Sequence, residues 1–125
     1  METKKTVLAI DDDPQQLQEF KTFLVPRYDF RAVKAASEAI SFLNTNMVDV
    51  ILLDIMMPNI SGFEFLDDIR KIPSYMNVPI IIVSGNTEPG FLDQAENSSA
   101  FDVLTKPTTA VNLINSIEKA LAAHV

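Results

Sequence analysis

Short apolar runs alternate with longer amphipathic stretches along the whole chain. Val7-Leu8-Ala9-Ile10 is an apolar run too short for a helix and predicts a strand. Over residues 14–24, Leu17, Phe20 and Leu24 recur at helical spacing, with Asp13 suited to the N-cap and Pro14 to the first helical position. Pro26 stops that helix. Residues 29–33 read as a weaker strand, and residues 37–43 as a second helix with Ile40 and Leu43 facing inward. The run Val50-Ile51-Leu52-Leu53, ending at Asp54, suits a strand buried on both faces. Ser61 is expected to cap a third helix reaching about Lys71, with Phe63, Leu66 and Ile69 to Ile72 as its apolar stripe. Pro79 opens a second fully buried strand, Ile80-Ile81-Ile82-Val83. A short helix over 89–96 and a last strand over 101–105 follow. Thr109 caps a final helix that carries Val111, Leu113, Ile114, Ile117 and Leu121 mostly on one side.

Five strands alternating with five helices imply a parallel sheet covered on both faces. Right-handed crossovers leave few topologies for such a chain. There is no repeat, low-complexity segment or linker, and the pattern fills the sequence. The expectation is therefore a single domain over residues 1–125.

Composition narrows the chemistry. Hydrophobic residues make up 47% and charged residues 22%, which fits a globular domain with a core. The formal net charge is −7, a field that repels nucleic acid and anionic membrane surfaces. No cysteine is present, and the one histidine is His124, next to last, read as a tail residue. Thiolate metal sites, cysteine nucleophiles, multi-histidine zinc sites and Ser-His-Asp triads cannot be assembled from these residues. The polar start and brief apolar run before three aspartates do not resemble a signal peptide or a membrane span, so a cytoplasmic location is expected.

In an open parallel α/β sheet, ligands gather at the carboxyl ends of the strands. The first strand runs into Asp11-Asp12-Asp13, the third into Asp54, the fourth into Ser84 and the fifth into Lys106-Pro107. Four separate segments thus deliver polar residues to one edge of an apolar sheet. Asp13 is accounted for as a helix cap. Asp11, Asp12 and Asp54 then outweigh the single positive charge of Lys106, which is unfavourable unless carboxylates take up protons or a cation enters. An all-oxygen donor set with few protein ligands points to magnesium. A lysine and a hydroxyl beside it would hold phosphoryl oxygens.

These residues resemble the receiver domains of bacterial two-component response regulators. The likeness rests on Val7-Leu8-Ala9-Ile10-Asp11-Asp12-Asp13-Pro14, on Leu53-Asp54-Ile55-Met56-Met57-Pro58 with Gly62 four residues on, on Ile82-Val83-Ser84, and on Leu104-Thr105-Lys106-Pro107. It covers essentially the whole chain in order and spacing. The resemblance implies a flavodoxin-like, doubly wound five-stranded parallel sheet of order 2-1-3-4-5 with five helices. It implies that Asp54 accepts a phosphoryl group from a histidine kinase phosphohistidine. Asp12, Asp54 and the backbone carbonyl of Met56 would bind Mg²⁺ directly, with Asp11 acting through a water. Lys106 and Ser84 would hold phosphoryl oxygens, and the Lys106-Pro107 bond would be cis. The implied partners are a sensor histidine kinase or phosphotransfer protein and a downstream effector, with pairing of two copies on phosphorylation. The chain would catalyse nothing beyond its own phosphorylation and dephosphorylation.

The sequence departs from the family pattern at Val103, where many receivers carry an aromatic ring that swings inward on activation. Phe101 lies two residues earlier. Ser84 replaces the more frequent threonine, Gly85 should loosen the loop after it, and Asn86 stands where the family tunes phosphate lifetime. Three other functions compete. A degenerate receiver used only for protein contacts is kept open by Val103. An aspartate-nucleophile phosphatase would want a general acid two residues after Asp54, where Met56 stands. A flavin carrier would want a Ser/Thr-rich phosphate loop where the three aspartates lie.

Overall fold

The computed structural model describes residues 3–57 and 61–123; Pro58 and His124 lie outside them. The elements run β1 (Thr6–Ile10), α1 (Pro14–Leu24), β2 (Asp29–Val33), α2 (Ala36–Thr45), β3 (Val50–Leu53), α3 (Gly62–Arg70), a 3₁₀ turn (Pro73–Tyr75), β4 (Ile80–Ser84), α4 (Pro89–Glu96), β5 (Asp102–Thr105) and α5 (Ala110–Ala123). All strand pairs are parallel, in the order β2-β1-β3-β4-β5. This is the flavodoxin-like doubly wound sheet.

Alternation along the central strands sorts side chains into two cores. Leu8, Ile10, Ile51, Leu53, Ile80 and Ile82 face α2, α3 and α4, where they meet Ala39, Leu43, Leu66, Ile69 and Ala95. Val7, Ala9, Val50, Leu52, Ile81 and Val83 face α1 and α5, where they meet Leu17, Phe20, Leu24, Leu113 and Ile117. Every residue of β3 and β4 is buried, which is why those runs are continuously apolar. β2 and β5 are edge strands and only partly buried.

Several local expectations change. The second helix is longer than residues 37–43, beginning at Ala36 and ending at Thr45. Ser61 occupies the cap position of α3, but its hydroxyl makes no capping bond. Glycine at position 62 sets that helix entry instead: a β-carbon there would overlap the Ile55 side chain and lie 2.5 Å from the Ile55 carbonyl oxygen. The last strand starts at Asp102, not Phe101, and Phe101 is exposed. Val111 is 66% exposed, because it lies about 200° around the helix from buried Leu113. The 3₁₀ turn, absent from the sequence reading, buries Tyr75.

Two caps form as their residue types suggest. Asp13 accepts the Gln15 N–H at 3.0 Å, and Thr109 Oγ1 accepts the Asn112 N–H at 3.1 Å. No helix among the described residues is long and apolar enough to cross a membrane.

Candidate functional site

β1 pairs with β2 on one side and β3 on the other, so the crossover direction reverses between β1 and β3 and leaves a crevice at their carboxyl ends. Backbone bonds carry the ladder one residue further. The Asp54 N–H donates to the Ile10 carbonyl at 3.0 Å, the Asp11 N–H to Val33 at 3.2 Å, and the Lys106 N–H to Ser84 at 2.9 Å. Each functional residue therefore starts from a backbone position fixed by the sheet.

The side chains converge in that crevice. Lys106 Nζ donates to Asp11 Oδ2 at 2.8 Å and to Asp54 Oδ2 at 2.9 Å. Carboxylate oxygens of Asp11, Asp12 and Asp54 all lie within 4.8 Å of one another. Asp11 and Asp54 are buried, and Asp12 is exposed at the mouth. The remaining oxygens of the buried pair are also engaged: Asp11 Oδ1 accepts the Asp13 N–H at 3.0 Å, and Asp54 Oδ1 the Met56 N–H at 2.8 Å. The Lys106-Pro107 bond is cis.

Burial pushes the Asp11 carboxyl above its ordinary value, although the Lys106 ammonium and the Asp13 N–H pull the other way. Burial also favours the neutral form of Lys106, but its hydrogen bonds to Asp11 and Asp54 outweigh this and hold it above the usual lysine value. The lysine thus stays charged between the two acids. Three carboxylates against one ammonium still leave an excess of negative charge. An oxygen-only donor set of this kind, with one carboxylate open to solvent, fits a hard divalent cation.

Ser84 is buried at the end of β4, where its carbonyl accepts the Lys106 N–H, and its Oγ accepts the Asn86 N–H at 3.3 Å. Asn86 Oδ1 accepts the Glu88 N–H at 3.0 Å, while its Nδ2 lies 3.9 Å from Met56 Sδ. Val103 is half-buried and packs on the core shared with α2, α3 and α4. The family resemblance implies a role only for the Met56 carbonyl. The structure adds the grip of the Met56 amide on Asp54 and the Met56–Asn86 contact across the mouth. The first had a signal, since a short polar side chain accepting the amide two residues on is a turn device that recurs at Asp11, Asp13, Ser84 and Asn86. The second joins two loops and had none.

Residues 7–118 match the family of response regulator receiver domains. The chain belongs to that family. Among relatives of this receiver, the heme response regulator HssR of Staphylococcus saprophyticus is 30% identical over 121 residues, covering 95% of this chain and 52% of that protein. Protein PilH of Pseudomonas aeruginosa is 26% identical over 118 residues, covering 93% of this chain and 97% of that protein. The receiver domain of the Francisella response regulator 1452 superposes with a TM-score of 0.86 at 31% identity, covering 97% and 99% of the two chains. Other relatives are longer, and this chain spans 24%, 17% and 19% of three of them.

Proposed function

We propose that this receiver is a phosphorylation-activated switch with Asp54 as its phospho-acceptor. The observation that carries the reading is the placement of Lys106 Nζ against Asp54 Oδ2, with Asp11 and Asp12 beside it. Asp54 is held at both oxygens, by Lys106 and by the Met56 N–H, so its carboxylate is pre-aimed. A carboxylate oxygen attacks phosphorus of a phosphohistidine, the P–N bond breaks, and the histidine leaves with its electron pair. The product is an acyl phosphate on Asp54.

Asp12, Asp54 and the Met56 carbonyl would hold Mg²⁺, with Asp11 acting through a water. Bound there, the ion would neutralise charge shared between the carboxylates and the phosphoryl oxygens. Lys106 would then exchange its bond to the free carboxylate for one to a phosphoryl oxygen. Ser84 Oγ would donate to another, drawing in the loop that leads to α4 and altering the surface around α4, β5 and α5. The donor would be a sensor histidine kinase or phosphotransfer protein, and the reader of that surface a downstream effector or a second copy. Val103 supplies no ring to follow the serine, so the loop and α4 would carry the change. Met56 offers no titratable side chain two residues beyond Asp54, which disfavours hydrolysis of external phosphate esters. The receiver would act in the cytoplasm as one domain.

The test is incubation with an acyl-phosphate donor and Mg²⁺, followed by intact mass. Wild type should gain one phosphoryl group and Asp54→Ala none. No gain on wild type, or equal gain on both, would favour an interaction module that is never phosphorylated at Asp54.

A further inference from the structure

Met56 follows the candidate phospho-acceptor by two residues, and its side chain is 57% exposed. Met56 belongs to neither apolar core. It crosses the mouth of the crevice, with Sδ 3.9 Å from the Asn86 side-chain nitrogen. Thioether sulfur is a weak acceptor, so this is a loose contact between the loop after β3 and the loop after β4. Both loops are otherwise anchored to the site. The Met56 N–H is bonded to Asp54, and the Asn86 N–H to Ser84 Oγ.

We propose that Met56 is a site of reversible oxidation by peroxides, and that its sulfoxide latches these two loops over Asp54. Sulfur attacks one oxygen of hydrogen peroxide and keeps it, the O–O bond breaks, and the other oxygen departs as hydroxide, which takes the proton of the transferred oxygen and becomes water. Sulfur is oxidised by two electrons and the peroxide is reduced by two. Exposure makes the thioether accessible, and methionine sulfoxide reductases reverse the step. The new S–O group is a strongly polar acceptor pointed from the same sulfur, within reach of the Asn86 amide that now meets only a weak one. A proper hydrogen bond replaces the loose contact. It also brings a negative dipole to a mouth already rich in carboxylates, opposing the approach of an anionic phosphodonor. The latch resists movement of the loop that carries Asn86.

Met47 and Met76, both more exposed than Met56, lie in the loops entering β3 and β4, at the opposite pole of the sheet. They serve as internal controls. Met57 is buried. The effect on phosphorylation rests on the role proposed for Asp54; the oxidation and the latch do not.

The experiment treats the full chain with hydrogen peroxide and maps added oxygen by peptide mass. It follows the Asn86 side-chain amide by NMR and the initial rate of phosphorylation from an acyl-phosphate donor. In a Met47→Leu/Met76→Leu double variant, oxidation should shift the Asn86 amide and slow phosphorylation about fivefold, the worth of one ordinary hydrogen bond. Sulfoxide reductase should restore both. Met56→Leu, compared before and after the same treatment, should show neither change. The proposal is overturned if Met56 stays unmodified while Met47 and Met76 gain oxygen, or if it is oxidised with the Asn86 amide unmoved. An unchanged rate with a shifted amide would overturn the regulatory half. Wild type that takes up no phosphoryl group before treatment would overturn the function proposed for Asp54, while the amide resonance still decides the latch.

Discussion

Gly62 lies so close to Ile55 that no β-carbon fits between them. Ile55 is the residue after Asp54, so the start of α3 is packed directly against the loop that presents the Asp54 carboxylate. Gly62→Ala should lower stability by about 3 kcal/mol, the upper range for forced overpacking. It should also weaken Mg²⁺ binding, because relief of the clash moves the Asp54 loop. Urea unfolding with and without Mg²⁺ checks both; a midpoint equal to wild type would mean that the helix simply shifts outward.

Asp12→Asn should stabilise the protein in a chelator, by about 3 °C in melting temperature, because it removes one of three carboxylates crowded within 4.8 Å. The same variant should lose most of the stabilisation that added Mg²⁺ gives wild type. Thermal melts in chelator and in Mg²⁺ separate the two effects. A variant less stable than wild type in chelator would contradict the charge argument.

Lys106→Met should act in the opposite sense. It leaves Asp11 and Asp54 buried without their shared cation, which costs about 3 kcal/mol in chelator. Mg²⁺ should then raise the melting temperature by more than it does in wild type, since the pocket has lost the positive charge that Lys106 placed between its acids. An unchanged Mg²⁺ response would show that the lysine does not compete with the ion electrostatically.

Both tyrosines should resist ionisation. Burial raises the Tyr28 hydroxyl well above its ordinary value, helped by its 2.6 Å bond to Glu118 Oε2, and burial likewise raises Tyr75, whose hydroxyl donates to the Asn46 carbonyl. A raised folded pKa gives stability that is complete below the unfolded value of about 10 and is lost as pH climbs toward the folded value. Tyrosinate absorbance should therefore stay low in the native protein just above pH 10 and rise together with unfolding in urea. A native titration near the ordinary tyrosine value would refute this.

The residues that gather in the crevice were legible because they end strands, and strand ends in a parallel sheet have a known common side. Apolar runs as uniform as Val50 to Leu53 and Ile80 to Val83 leave little choice of element or burial. What escaped was side-chain contact between segments remote in sequence. Arg70 is the clearest case: it donates from Nε to Ser99 Oγ, and from its terminal nitrogens to the carbonyls of Tyr75, Val78 and Ser99. No spacing rule announces that one arginine will tie α3 to the turn after it and to the loop before β5. Val111 departs from the other four apolar residues of its helix for a different reason: residue type alone does not fix the face, and helix geometry sets it about 200° from Leu113.

The ammonium at the centre of the crevice belongs to a residue 95 positions after Asp11 and 52 after Asp54. During translation the acids of the first and third strands leave the ribosome long before their neutralising partner. A polypeptide cut short before β5 would keep a cluster of negative charge without Lys106 and an uncovered β4 edge. The charge balance of the crevice is thus completed only after β5 has been made and docked and Lys106 has followed it.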